Sequence, residues 1–211
     1  MKSICIAILG TDGSGKTTVI DALTGELEKN YGYKTDYSHL RPHWLPDLGV
    51  LKGQKKAPDA GVVTEPHALP PSGFLGSLFR LCYYTLDYTV GYWSVVRPKL
   101  KKPKQVIIFD RYCYDFLVDP RRMRIALPRW ILTGMLRLVP EPDKVFCLGA
   151  EPEVIFERKP ETSLEEVSRQ IDELRALCSG NERAVWIDTG GTVAQSCHEV
   201  LDALNLSESV N

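Results

Sequence analysis

The chain has 211 residues, 44% of them hydrophobic and 25% charged, a balance that suits one globular domain with a proper core. Its 26 Lys and Arg against 27 Asp and Glu leave a net charge of −1, which gives no global electrostatic ground for a nucleic-acid partner. The cysteines at 5, 82, 113, 147, 178 and 197 form no C-x-x-C pair and have no histidine at zinc spacing. They read as reduced, packing thiols rather than a metal site.

Residues 4–9, Ile-Cys-Ile-Ala-Ile-Leu, form a short continuous apolar run, the pattern of a central parallel strand buried on both faces. The chain enters that run without a charged leader or cleavage site, so a cytoplasmic location is expected. Directly after it comes Gly10-Thr11-Asp12-Gly13-Ser14-Gly15-Lys16-Thr17, which fills the phosphate-loop pattern G-x-x-x-x-G-K-[ST]. The glycines let successive N–H groups point inward at phosphate oxygens. Lys16 supplies a cation to the terminal phosphates, Thr17 offers a hydroxyl to Mg²⁺, and the following helix presents its positive end to the same anion. Gly10, Asp12, Gly13, Ser14, Gly15, Lys16, Thr17 and Thr18 are therefore the candidate ATP-binding residues. Val19, Ile20, Leu23 and Leu27 then recur at helical spacing.

A second strand is expected at 35–40. Residues 42–73 break the rhythm with prolines at 42, 46, 58, 66, 70 and 71, and read as a functional loop or insertion. The most apolar stretch, 74–96, is interrupted by Arg80 and Asp87, which argues against a membrane span. Its rings, Tyr83, Tyr84, Tyr88, Tyr92 and Trp93, suit stacking on a base or lining a sugar, and equally suit core packing at helical spacing.

A third strand at 106–109 ends in Asp110-Arg111-Tyr112. A carboxylate at the end of a buried strand beside a phosphate loop is placed to hold Mg²⁺ or its water shell. The adjacent guanidinium can fork onto a second phosphate, as a phosphorylated acceptor would require. After a fourth strand at 144–148, a helical pattern through Val154, Ile155 and Phe156 ends in Glu157-Arg158-Lys159-Pro160. Arg158 and Lys159 suit a short lid near 157–165 that neutralises charge in flight and excludes water; a solvated cluster at a helix end is the other reading. A charged helix at 164–177 and a fifth strand at 184–187 complete a βαβ rhythm. The whole of 1–211 is thus expected to be one α/β domain of the three-layer P-loop NTPase type, a five-stranded parallel sheet with helices on both faces.

The combination resembles the thymidylate kinase family of nucleoside monophosphate kinases. The likeness rests on the loop at 10–18, Val96-Arg97-Pro98, Asp110-Arg111-Tyr112, and Glu151-Pro152-Glu153-Val154 running into Glu157-Arg158. It implies strand order 2-3-1-4-5 with a mobile lid, and dimers are common in such enzymes. It further implies that Asp12 approaches the acceptor's sugar hydroxyl, and that Arg111 and Arg41, the latter in Arg41-Pro42, approach the acceptor phosphate. The acceptor half departs from the family. His39-Leu40-Arg41-Pro42 replaces Thr-Arg-Glu-Pro, Asp87-Tyr88 stands where an arginine would stack on thymine, and Leu148-Gly149 lacks a common aspartate. Residues 66–73 look like the signature of a divergent branch near surface-polysaccharide genes.

The expectation is an ATP- and Mg²⁺-dependent phosphotransferase with Lys16, Asp12, Asp110, Arg111, Arg158 and Lys159 as catalytic candidates. Thr17 and Asp110 would hold the metal, and Arg41, Arg80, Tyr84, Tyr88 and Arg111 the acceptor. That acceptor is a nucleoside monophosphate resembling dTMP, or alternatively a sugar or glycan-precursor hydroxyl, for which Asp12 or Asp110 would act as base. A nucleotide-dependent switch or ATPase is a reading from another class. No nucleic-acid or membrane partner is expected, and a homodimer is possible.

Overall fold

The computed structural model describes residues 2–48 and 70–206. The expected insertion at 42–73 lies mostly outside these residues, as does half of the 66–73 segment. In chain order the elements are β1 (Ile4–Gly10), α1 (Lys16–Lys29), β2 (Lys34–His39), α2 (Phe74–Gly91), a π-helical turn (Tyr92–Val96), α3 (Arg97–Leu100) and β3 (Gln105–Asp110). There follow α4 (Asp115–Val118), α5 (Arg129–Leu136), β4 (Lys144–Gly149), α6 (Pro152–Arg158), α7 (Leu164–Gly180), β5 (Ala184–Asp188) and α8 (Val193–Ala203). The chain divides into two compact units, one of residues 1–38, 100–112 and 142–211, the other of residues 39–99 and 113–141.

The first unit carries the sheet, in the order β2-β3-β1-β4-β5. β1 pairs in parallel with β3 and with β4, and β4 with β5. Being central, β1 has its residues 5–9 at 1% exposure or less, which explains why its sequence is apolar without alternation. On one face Val19, Ile20, Leu23 and Leu27 of α1 join Ile6, Ile8, Ile108, Phe146, Leu148 and Val200 in the core, each fully buried aliphatic contributing about 1.5–3 kcal/mol. Val167, Ile171 and Leu174 form the buried stripe of α7, and the Ile171 side chain reaches Gly149 at the end of β4. A Cβ at Gly149 would lie 2.4 Å from the Trp186 ring, so the aspartate-free end of β4 makes room for that indole. β2 stops at His39, one residue short of the expected end, because Leu40 turns left-handed at φ +65°, outside the extended region.

In the second unit α2 buries Ser77, Leu81, Thr85, Asp87 and Tyr88. Tyr88 packs edge-on to Phe116, with ring centroids 6.1 Å apart. At Gly91 an added Cβ would lie 2.8 Å from the Pro42 ring, so the chain after Arg41 crosses this helix where it has no side chain. Among the described residues no helix is long and apolar enough to cross a membrane.

Candidate active site

The loop between β1 and α1 has the backbone its glycines permit. Gly13 and Gly15 adopt φ of +86° and +81°, where a side chain would be strained. Gly15 is the N-cap of α1 and brings no side chain to cap it, so the positive end of the helix lies at the loop. Two buried hydroxyls at the same loop, Thr11 Oγ1 and Ser14 Oγ, have no hydrogen-bond partner among the described residues. Such orphaned polar atoms are costly unless a ligand satisfies them. Lys16 is only 8% exposed, and its ammonium donates to the Gly10 and Thr11 carbonyls at 2.9 and 2.8 Å. The cation thus lies folded along the loop. Thr17 and Thr18 are exposed in the first turn of α1.

The C-terminal end of α6 packs on this loop. A Cβ at Gly13 would lie 2.8 Å from the Ile155 carbonyl oxygen and 3.1 Å from Lys159 Cβ. That contact brings the start of the expected lid against the phosphate loop. Residues 159–163 form a short connection between α6 and α7, and the Ser163 hydroxyl caps α7 by accepting from Glu166 N–H. Arg158 and Lys159 are both exposed, with the Lys159 ammonium 3.2 Å from Glu161.

Asp110 ends β3 in register with Ile8 and is 7% exposed. The Tyr37 hydroxyl, carried by β2, donates to Asp110 Oδ2 at 2.9 Å. Partial burial, the Asp110 charge and this hydrogen bond push the Tyr37 phenol well above its ordinary pKa, so it remains a donor at neutral pH. Arg111 follows in the left-handed region at φ +72°, a conformation that costs a non-glycine residue about 1–2 kcal/mol. Its N–H donates to the Ile8 carbonyl at 2.9 Å, and its guanidinium reaches Asp12 Oδ1 at 2.7 Å. The fold therefore joins Asp12 and Arg111, distant in sequence, into one ion pair beside the loop. Tyr37 escaped the sequence reading because its partner lies on a neighbouring strand; the only sequence signal was a ring within a polar strand.

Among the described residues no group of three or more His, Cys, Asp and Glu stands ready to hold a metal. Thr17, exposed in the first turn of α1, and Asp110, at the end of β3, offer one hydroxyl and one carboxylate. Both are oxygen donors of the kind that Mg²⁺ takes, one or two at a time, alongside several waters and phosphate oxygens.

The second unit holds the remaining expected residues. Arg41 is 3% exposed and donates through Nη1 to Asp87 Oδ2 and the Leu45 carbonyl at 2.9 and 3.0 Å, and through Nη2 to Asp47. Its guanidinium carbon stands 5.9 Å from the centre of the Tyr84 ring, which in turn stacks on Phe116. Arg80 donates from Nε to the Ser72 hydroxyl at 3.0 Å. Tyr88, 1% exposed, donates its hydroxyl to the Leu40 carbonyl, so it ties down the turn that presents Arg41. Asp87, fully buried, also accepts from the Leu45 N–H at 2.5 Å. The sequence reading did not give Asp47 or Asp87 this role, although a carboxylate inside the most apolar stretch was a signal that a partner awaited it.

No protein-family model and no curated protein matches the chain. A crystal structure of thymidylate kinase from Ehrlichia chaffeensis matches it with a TM-score of 0.63 and 19% sequence identity, over 97% of this chain and 100% of that one. That likeness and the strand order together establish the architecture: the chain has a thymidylate kinase-like α/β fold built on a five-stranded parallel sheet.

Proposed function

We propose that this chain is an ATP- and Mg²⁺-dependent phosphotransferase acting on a small acceptor, a nucleoside monophosphate. The observation that carries the reading is the loop itself. Left-handed Gly13 and Gly15, a helix start without a side-chain cap, a buried Lys16 and two buried hydroxyls that no described residue partners make a cradle suited to a phosphate chain.

In this reading the loop amides and Lys16 bind the donor phosphates, with Lys16 leaving its loop carbonyls for the incoming anion. Thr17 and Asp110 hold Mg²⁺, which supplies charge neutralisation when bound. Arg111 turns from Asp12 toward the acceptor's phosphate, and Asp12 then accepts from a sugar hydroxyl. Arg158 and Lys159 extend the positive charge over the transferring group and exclude water. A phosphate acceptor is already nucleophilic, so positioning and charge neutralisation carry most of the acceleration. Within the second unit, Arg41, Arg80 and Tyr84 have the charge and ring chemistry that suits an anionic, planar ligand, while buried Tyr88 acts through the Leu40 turn.

One observation favours a second reading, a kinase of a sugar or glycan-precursor hydroxyl. Arg41 is already engaged by two carboxylates, Asp47 and Asp87, and an acceptor without a phosphate would leave that arrangement intact. A panel of nucleoside monophosphates and free sugars, each with radiolabelled ATP and Mg²⁺, separates the readings. Transfer to a monophosphate is expected. Transfer to a sugar with none to any monophosphate would replace the first reading by the second, and sustained hydrolysis indifferent to every acceptor would remove both.

A further inference from the structure

Tyr37 lies outside every role assigned above, yet it donates a hydrogen bond to the carboxylate on which the metal assignment depends. It stands on β2, with 56% of its surface exposed, so core packing does not explain its ring. Its hydroxyl is nonetheless committed to Asp110 Oδ2 at 2.9 Å, from a strand 73 residues away in sequence. Asp110 is 7% exposed and is the last residue of β3, whose neighbour β1 runs into the loop at 10–17. A carboxylate has two oxygens and rotates about its terminal bond with little resistance. A neutral donor on one oxygen fixes that rotation without cancelling the charge, as supporting hydrogen bonds do for metal-ligating carboxylates. A lysine or arginine there would fix the same torsion but neutralise the anion.

We propose that Tyr37 is a positioning residue for Asp110: its hydroxyl holds the carboxylate in the orientation that receives Mg²⁺, or its water shell, together with the nucleotide. This rests on the phosphotransferase reading. Tyr37 touches neither reacting atom, so its effect runs through the metal and not through the acceptor.

The test is calorimetric titration of ATP with Mg²⁺ and in EDTA, on the wild-type protein and on Tyr37→Phe, Asp110→Asn and the double variant. Tyr37→Phe keeps the ring on an exposed site, and an unchanged unfolding temperature checks the fold. Wild type is expected to bind ATP more tightly with Mg²⁺, and Tyr37→Phe to lose about fivefold to tenfold of that increment, the usual scale of one hydrogen bond. Affinity in EDTA should not move. In the Asp110→Asn background the tyrosine substitution should add less than twofold, since residues acting through one another are not additive. In turnover, the Mg²⁺ concentration for half-maximal rate should rise while the acceptor KM stays constant. A Tyr37→Phe variant with the full wild-type Mg²⁺ increment overturns this proposal and leaves the phosphotransferase reading standing. Wild-type protein that binds no ATP under either condition overturns both.

Discussion

Gly13 and Gly15 share a left-handed backbone but differ in what surrounds them, and that difference gives a measurable prediction. At Gly15, φ is +81° and a Cβ would have nothing within 4 Å. Gly15→Ala should therefore cost only the backbone strain, about 1–2 kcal/mol. At Gly13, φ is +86° and the added Cβ would lie 2.8 Å from the Ile155 carbonyl oxygen. That oxygen is backbone, held in place because it accepts the Lys159 N–H at 3.1 Å, so it cannot swing aside as a side chain would. Overpacking of this kind adds about 1–3 kcal/mol, bringing Gly13→Ala to about 2–5 kcal/mol. For a chain of this size, at about 2–4 °C per kcal/mol, the unfolding temperature should fall by several degrees more for Gly13→Ala than for Gly15→Ala. Scanning calorimetry of the two variants beside wild type measures the difference directly. Equal losses would mean that the end of α6 does not press on the loop, and two unchanged variants would mean that the loop is not left-handed at all.

Lys16→Ala should lower phosphoryl transfer by about 10²–10³, the scale of losing one preorganised charge-stabilising donor, with the far-ultraviolet circular dichroism unchanged; a fully active variant refutes the donor assignment. Arg111→Ala should raise the acceptor KM or lower kcat while ATP affinity measured by titration stays put. Asp87→Ala should cost about 3–5 kcal/mol in urea denaturation, because it removes the fully buried partner of the Arg41 cation and leaves the partly exposed Asp47 to balance it. Asp47→Ala, at a partly exposed carboxylate, should cost under about 1 kcal/mol; a reversed ranking would show that Asp87 is not the principal partner. Finally, burial holds the Tyr88 phenol and the Cys113 thiol above their ordinary pKa values. The folded state then keeps protons that the unfolded chain releases above about pH 8.5–10. Stability from these groups should be fully present below that range and should fall as pH rises through it. Thermal melts from pH 7 to 11 test the sign, and a melting temperature that rises with pH would contradict it.

The five strands and the helix after the loop were legible in the sequence because their signals are local. An unbroken apolar run such as 4–9 can be soluble only when covered on both sides, and Val19, Ile20, Leu23 and Leu27 define one face of one helix whatever its neighbours. The loop was equally plain, since each glycine answers a demand of its own backbone. The end of β2 was not, because nothing in Leu40 itself announces φ +65°.

The sequence by itself determined the five strands, the helix after the first of them and the glycine-dictated backbone of the loop, all consequences of residues acting on their own stretch of backbone. Tertiary structure alone decided which charges meet. It set Tyr37 on Asp110, Arg111 on Asp12, and Arg41 on Asp87 and Asp47. It also laid the end of α6 against Gly13. Hydrogen bonds and ion pairs act over a few ångströms, and only the folding of the chain brings residues so far apart in sequence to within that range.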